Sequence, residues 1–164
     1  MHIVFVCTGN TCRSPMAAFL LQQKLQQKGL SWTVTSAGLF AAPGMPMSKH
    51  AVGALDELGI NGSAHYSQQL SPELIASASY VFTMTAGHRA DLLAHFPEFS
   101  SKIHQLAKFA MGADTDSENA GRYDIVDPFG GSKQEYKQCA AELNKYIDLL
   151  IDRLNGTGPD TGTK

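Results

Sequence analysis

The feature that most narrows what this chain can fold into is its opening, "HIVFVCTGNTCRSP", where an apolar run passes through a short polar loop into a helix start. Residues 2–6 are β-branched and aromatic without polar alternation, the pattern of a strand buried on both faces. Ser14 can cap the helix, and Pro15 suits its first turn, where a missing N–H costs nothing. A buried strand feeding a helix is the unit from which parallel sheets are assembled.

The same alternation continues. The first helix carries Phe19, Leu20 and Leu25 and stops at Gly29. Strands are expected at 31–36, 79–84 and 102–106. Between them, 47–59 reads as an amphipathic helix with Ala51, Val52, Leu55 and Leu58 on one side, 71–74 as a short capped helix and 86–96 as a longer one. Residues 111–131, rich in Gly, Asp and Ser, read as a long loop. A capping box at Ser132 and Glu135 then opens a helix to about Leu154, with Tyr136, Leu143, Ile147, Leu150 and Leu154 at helical spacing. The expected fold is α/β and three-layered, a doubly wound four-stranded parallel sheet in one domain over 1–155, with a loose tail over 156–164.

Composition removes several function classes. Thirteen basic against fifteen acidic residues give no basic field for nucleic acid. The apolar run at the start is too short for a leader or a membrane span, so a cytoplasmic protein without a membrane partner is expected. Three cysteines without a Cys-x-x-Cys pair, and six scattered histidines, argue against a disulfide scaffold and a metal site. No cofactor is implied, and a monomer is expected.

Cys7 directly follows a strand, five residues intervene, and Arg13 precedes the Ser14-Pro15 helix start. Successive loop N–H groups can wrap an anion, and the helix dipole adds its positive end at the same place. A thiolate at the base of that cradle is stabilised by the same donors. Arg13 adds a planar fork matched to two phosphoryl oxygens, and Gly9 is read as the position needing backbone freedom. The chemistry implied is attack by sulfur on phosphorus; the alternative is an inert Cys7 in an ordinary loop.

"VCTGNTCRSP", together with "SAGLF" (36–40), "HYSQQL" (65–70) and "DPFGGS" (127–132), resembles the low-molecular-weight protein tyrosine phosphatase family over nearly the whole chain. The resemblance implies a doubly wound four-stranded sheet and a set of roles. Cys7 would be the nucleophile of a phosphocysteine intermediate. The amides of Thr8, Gly9, Asn10, Thr11, Cys12 and Arg13, with the Arg13 side chain, would bind the phosphoryl oxygens. Asp127 would protonate the leaving group and then activate water, with Asp124 its competitor. Asn10, Ser14, Ser36 and His65 would support the loop, although Ser36 also fits a plain strand residue and His65 a structural histidine. Cys12 would either pack or trap an oxidised Cys7 as a disulfide. Cys139, beside the apolar positions of the last helix, reads as packing.

Substrate class turns on Thr11 and Phe129. Tyrosine-directed members commonly carry an aliphatic residue at the first position and a tyrosine at the second. The hydroxyl at Thr11, with Phe129, "SAGLFAAPG" and "DPFGGSKQEYK", is similar to the bacterial protein arginine phosphatase branch. The resemblance therefore implies hydrolysis of phosphoarginine on proteins, with phosphotyrosine as the alternative. Phe40, Phe129 and the 40–47 segment would shape the surface around the pocket, although that apolar segment also fits an ordinary packed loop. A thiol-dependent arsenate reductase would need redox cysteines in 79–105, which has none. A phosphoprotein-binding module could dispense with Cys7 or Asp127.

Overall fold

The computed structural model describes residues 1–113 and 120–156. Residues 114–119 of the expected loop and 157–164 of the expected tail lie outside the described residues. Strand β1 (His2–Cys7) leads to helix α1 (Arg13–Lys28), β2 (Thr33–Gly38), α2 (Lys49–Asp56), α3 (Pro72–Ser77), β3 (Tyr80–Thr83), α4 (Ala86–His95), β4 (Ile103–Gln105), α5 (Leu106–Ala110) and α6 (Lys133–Leu154). All strand pairs are parallel, in the order β2-β1-β3-β4.

Each central strand sends alternate side chains to opposite faces, and both faces are covered. Ile3 and Phe5 pack with Leu20, Leu21, Leu143 and Ile147 under α1, α2 and α6. Val4 and Val6 face the other way, against Ile75, Val81 and Leu92 under α3 and α4. These side chains are fully or almost fully buried, which accounts for the unbroken apolar run of β1. The strand order reverses direction between β1 and its two neighbours, so the crevice beyond the C-terminal ends of the strands opens beside the loop after β1.

Ser71 and Ser132 cap α3 and α6 as expected, with both halves of the capping box at Ser132 and Glu135 present, and Ser48 caps α2, which begins at Lys49 and not at Met47. Three further expectations are corrected. The second strand begins at Thr33 and runs on to Gly38, because its pairing with β1 continues through Cys7 to Gly38. Leu58 is 44% exposed: α2 stops at Asp56, and Gly59, at φ +73°, turns the chain so that Ile60 takes the buried place. Leu106 starts α5 instead of extending the fourth strand. Among the described residues, no helix is long and apolar enough to cross a membrane.

Candidate active site

The loop between β1 and α1 is held from outside by its carbonyls. The N–H of Leu39 donates to the carbonyl of Cys7 at 2.9 Å, that of Phe40 to Thr8 at 2.9 Å and that of Ser48 to Thr11 at 2.9 Å. His65 Nε2–H donates to the Asn10 carbonyl at 2.7 Å. In a trans peptide the C=O and the next N–H point in opposite directions, so carbonyls drawn outward turn amides inward. Among the described residues, no protein acceptor pairs with the backbone N–H groups of residues 8–13. Those unpartnered donors stand together at the start of α1, an arrangement that can hold an anion.

The backbone freedom assigned to Gly9 belongs elsewhere. A Cβ on Gly9 would meet only Thr11 Oγ1, at 3.8 Å. Asn10 is the residue with a left-handed backbone, at φ +56°, which asparagine tolerates better than most side chains. Gly38 is the position where a side chain cannot fit, since its Cβ would lie 2.6 Å from the Thr8 carbonyl oxygen.

Asn10 is fully buried and organises the floor. Its Nδ2 donates to Ser14 Oγ and Ser36 Oγ, each at 2.9 Å, and its Oδ1 accepts from the Gln68 N–H at 3.0 Å. Ser14 Oγ in turn lies 3.0 Å from Cys7 Sγ, so the serine can donate its own proton to an ionised sulfur. That use corrects the expectation that Ser14 caps α1. The N-cap is Cys12, without a side-chain cap bond, and the Ser14 hydroxyl is engaged by Cys7, Asn10 and the Ala37 carbonyl instead. His65 sits behind the loop with its ring nearly perpendicular to that of Phe19, and burial holds its pKa below the usual histidine value against the opposing effect of the Asn10 bond.

Arg13, 4% exposed, donates from Nη2 to Asp127 Oδ2 at 2.8 Å and from Nη1 to the Ile125 carbonyl at 3.1 Å. Its Nε is buried without a partner among the described residues. Asp127 is about half exposed, whereas Asp124 is committed elsewhere. Asp124 Oδ1 accepts from the Ala86 N–H at 2.7 Å and Gln105 Nε2 at 2.8 Å. Cys7, Thr8, Gly9, Thr11, Cys12, Arg13, Asp127 and Phe129 line one pocket of about 230 Å³. Asn10, Ser14, Ser36 and His65 stand behind its lining. Phe40 instead borders a neighbouring apolar cleft with Leu39, Leu70 and Leu92.

All three cysteines are free thiols. Cys12 Sγ is directed to Tyr136 Oη at 3.4 Å and Ser48 Oγ at 3.6 Å, and burial with the Cys12 contact pushes the Tyr136 hydroxyl up to about 12. Burial pushes the Cys139 thiol up to about 12 as well, in keeping with its reading as a packing residue. Among the described residues, no three His, Cys, Asp or Glu side chains gather as a metal site would require. Two site residues had no sequence signal of their own. Gln68 lies inside a quoted block, and His88, whose Nε2 is 2.9 Å from Thr8 Oγ1, reads as an ordinary helix position. Replacing Asn10 by Ala should cost about 2–3 kcal/mol, because it strands the Gln68 N–H and two serine hydroxyls. Denaturant unfolding measures that loss, and wild-type stability would contradict the central place given to Asn10.

Residues 2–158 match the low molecular weight phosphotyrosine protein phosphatase family. A protein-arginine-phosphatase of Geobacillus stearothermophilus is 46% identical, over 93% of this chain and 95% of that protein. One from Bacillus subtilis is 40% identical, over 94% and 97%. The solved structure of the YwlE arginine phosphatase, a C7S mutant with a phosphorylated active-site serine, superposes with a TM-score of 0.86 at 39% identity, over 94% of this chain and 96% of that one. This chain belongs to the low-molecular-weight phosphotyrosine protein phosphatase family, whose members are cysteine-dependent phosphoprotein phosphatases.

Proposed function

We propose that the protein hydrolyses phosphoarginine on proteins through a phosphocysteine intermediate. The Cys7 sulfur attacks phosphorus, and an S–P bond forms as the P–N bond breaks. The inward amides of residues 8–13 and the Arg13 guanidinium take the phosphoryl oxygens, with the unpartnered Arg13 Nε a donor already in place. As the phosphoryl group engages Arg13, Asp127 is released from its 2.8 Å ion pair and, beside the negative phosphoryl oxygens, takes up a proton from solvent that lets it work as an acid. It protonates the departing guanidine nitrogen, then takes a proton from the water that displaces phosphate from sulfur. A guanidine is too basic to leave without that proton.

The observation that carries the substrate class is Thr11 on the pocket wall with Asp127 and Phe129. A hydroxyl there can pair with guanidinium N–H groups that an aliphatic side chain would leave unsatisfied. The relatives named as arginine phosphatases support the same reading. Phosphotyrosine is the second reading, favoured by the 76% exposed Phe129 ring at the mouth, which suits a phenol. The partners are phosphorylated proteins, and we place the enzyme in the cytoplasm as a monomer with one domain over 1–155.

The deciding measurement is kcat/KM on a phosphoarginine protein beside a phosphotyrosine peptide. Phosphoarginine should be preferred, and Thr11→Ile should lower that activity about tenfold or more while sparing phosphotyrosine. Equal losses on both would return the protein to tyrosine specificity.

Asp127→Asn should lower kcat on phosphoarginine by about 10²–10⁴, and less on para-nitrophenyl phosphate, whose leaving group needs no proton. A uniform loss across both substrates would point to Asp124 or to a merely structural Asp127.

Cys12 is the proposed resolving thiol. Peroxide oxidises Cys7 to the sulfenic acid with release of water, and the Cys12 thiol then displaces the hydroxyl as a second water to leave a 7–12 disulfide. Cys12 must first leave Tyr136 and Ser48. Mass spectrometry after peroxide should find the bridge, and sulfonic Cys7 without it would refute the role.

A further inference from the structure

We propose that His88 is a positioning residue of the phosphatase reaction, acting on the phosphoryl cradle through Thr8. The inference rests on the reading of residues 8–13 as that cradle. The segment "TAGHRA" places His88 in the first turn of α4, and two acceptors fix that turn. Thr85 Oγ1 accepts from the His88 N–H at 3.1 Å, and Asp124 Oδ1 accepts from the Ala86 N–H at 2.7 Å. The ring is therefore delivered from a rigid support to a residue 80 positions away in sequence, where Nε2 meets Thr8 Oγ1 at 2.9 Å.

The bonding of the ring is one-sided. His88 is 9% exposed, and its Nδ1 is buried without a partner among the described residues. A residue serving only to fill this space would do so better with an apolar side chain, which carries no buried nitrogen to desolvate. The polar bond the ring makes is to the first residue of the cradle. The polar groups of Thr8 and of the peptide before it are then engaged, except one. Its carbonyl accepts from Phe40, the preceding carbonyl from Leu39, and its hydroxyl is paired with His88. The N–H of Thr8 is the group left for a phosphoryl oxygen, and with the side chain anchored the residue cannot rotate that N–H away.

Charge supports the assignment. The ring is faced by Arg13 of α1, Asp91 of its own helix, and Asp124 and Asp127 of the loop before α6. Burial and then Arg13 hold its pKa below the usual histidine value, with the three carboxylates opposing. A neutral ring keeps its hydrogen bond to Thr8 without adding a cation that would compete with Arg13 for the phosphoryl group or hold Asp127 back.

The test compares His88→Ala, His88→Gln, His88→Asn and Thr8→Val by kcat/KM on para-nitrophenyl phosphate, inhibition by inorganic phosphate and melting temperature. His88→Ala should lower kcat/KM about tenfold and weaken phosphate inhibition in parallel. Gln, whose amide reaches the place of Nε2, should restore most of both, and the shorter Asn should not. Combined with Thr8→Val, the alanine change should add nothing further, because both remove one bond. Wild-type kinetics and phosphate inhibition in His88→Ala would overturn the proposal. So would a loss that follows melting temperature and is not restored by Gln. Should His88→Ala fail to fold, Thr8→Val decides, since it leaves the ring in place; wild-type kinetics there would overturn the role. An inactive wild-type protein would overturn the phosphatase reading itself, and this role with it.

Discussion

Everything at this site depends on which way the peptide groups of one loop face. Carbonyls of Cys7, Thr8, Asn10 and Thr11 are each drawn outward by a donor from another part of the chain: Leu39, Phe40, His65 and Ser48. The amides are thereby presented inward without a protein partner. Unsatisfied N–H groups are costly when buried, so a loop of this kind is stable only if its surroundings over-determine it. Asn10 supplies the central tie, in a left-handed conformation, and Gly38 makes room for the loop to lie against β2.

The cation of the site is held under similar tension. Arg13 is almost wholly buried, and a buried guanidinium without a counter-charge is strongly unfavourable. Asp127 meets that need while remaining half exposed, so it can be released when a phosphoryl group brings its own negative charge. One carboxylate thus neutralises the buried arginine, and in the proposed mechanism the substrate frees it for proton transfer. Asp124, only three positions earlier, has no such freedom, because its oxygen fixes the start of α4 and a glutamine of β4.

Much of the architecture was legible because its signals are local. A strand buried on both faces shows as an unbroken apolar run, serine caps mark helix starts, and a capping box needs only four consecutive residues. The failures are also local in cause. Leu58 has the right spacing for the buried face of α2 but falls past the helix end, where the periodicity no longer applies. Ser14 has the chemistry of a cap and stands near a helix start, yet its hydroxyl is claimed by Cys7 and Asn10 from outside the helix.

The sequence by itself determined the βα unit that opens the chain, the sheet class, and the presence of thiol, guanidinium and carboxylate in an order that suits phosphoryl transfer. These follow from residue type and short-range spacing. Only the tertiary structure decided that Asp127 and not Asp124 meets Arg13, that Gln68 ties Asn10, that Cys12 turns to Tyr136 and Ser48, and that His88 grips Thr8. Those contacts join residues separated by 114, 58, 124, 36 and 80 positions. No local pattern encodes them, because they exist only once the sheet has brought distant loops to the same end of its strands.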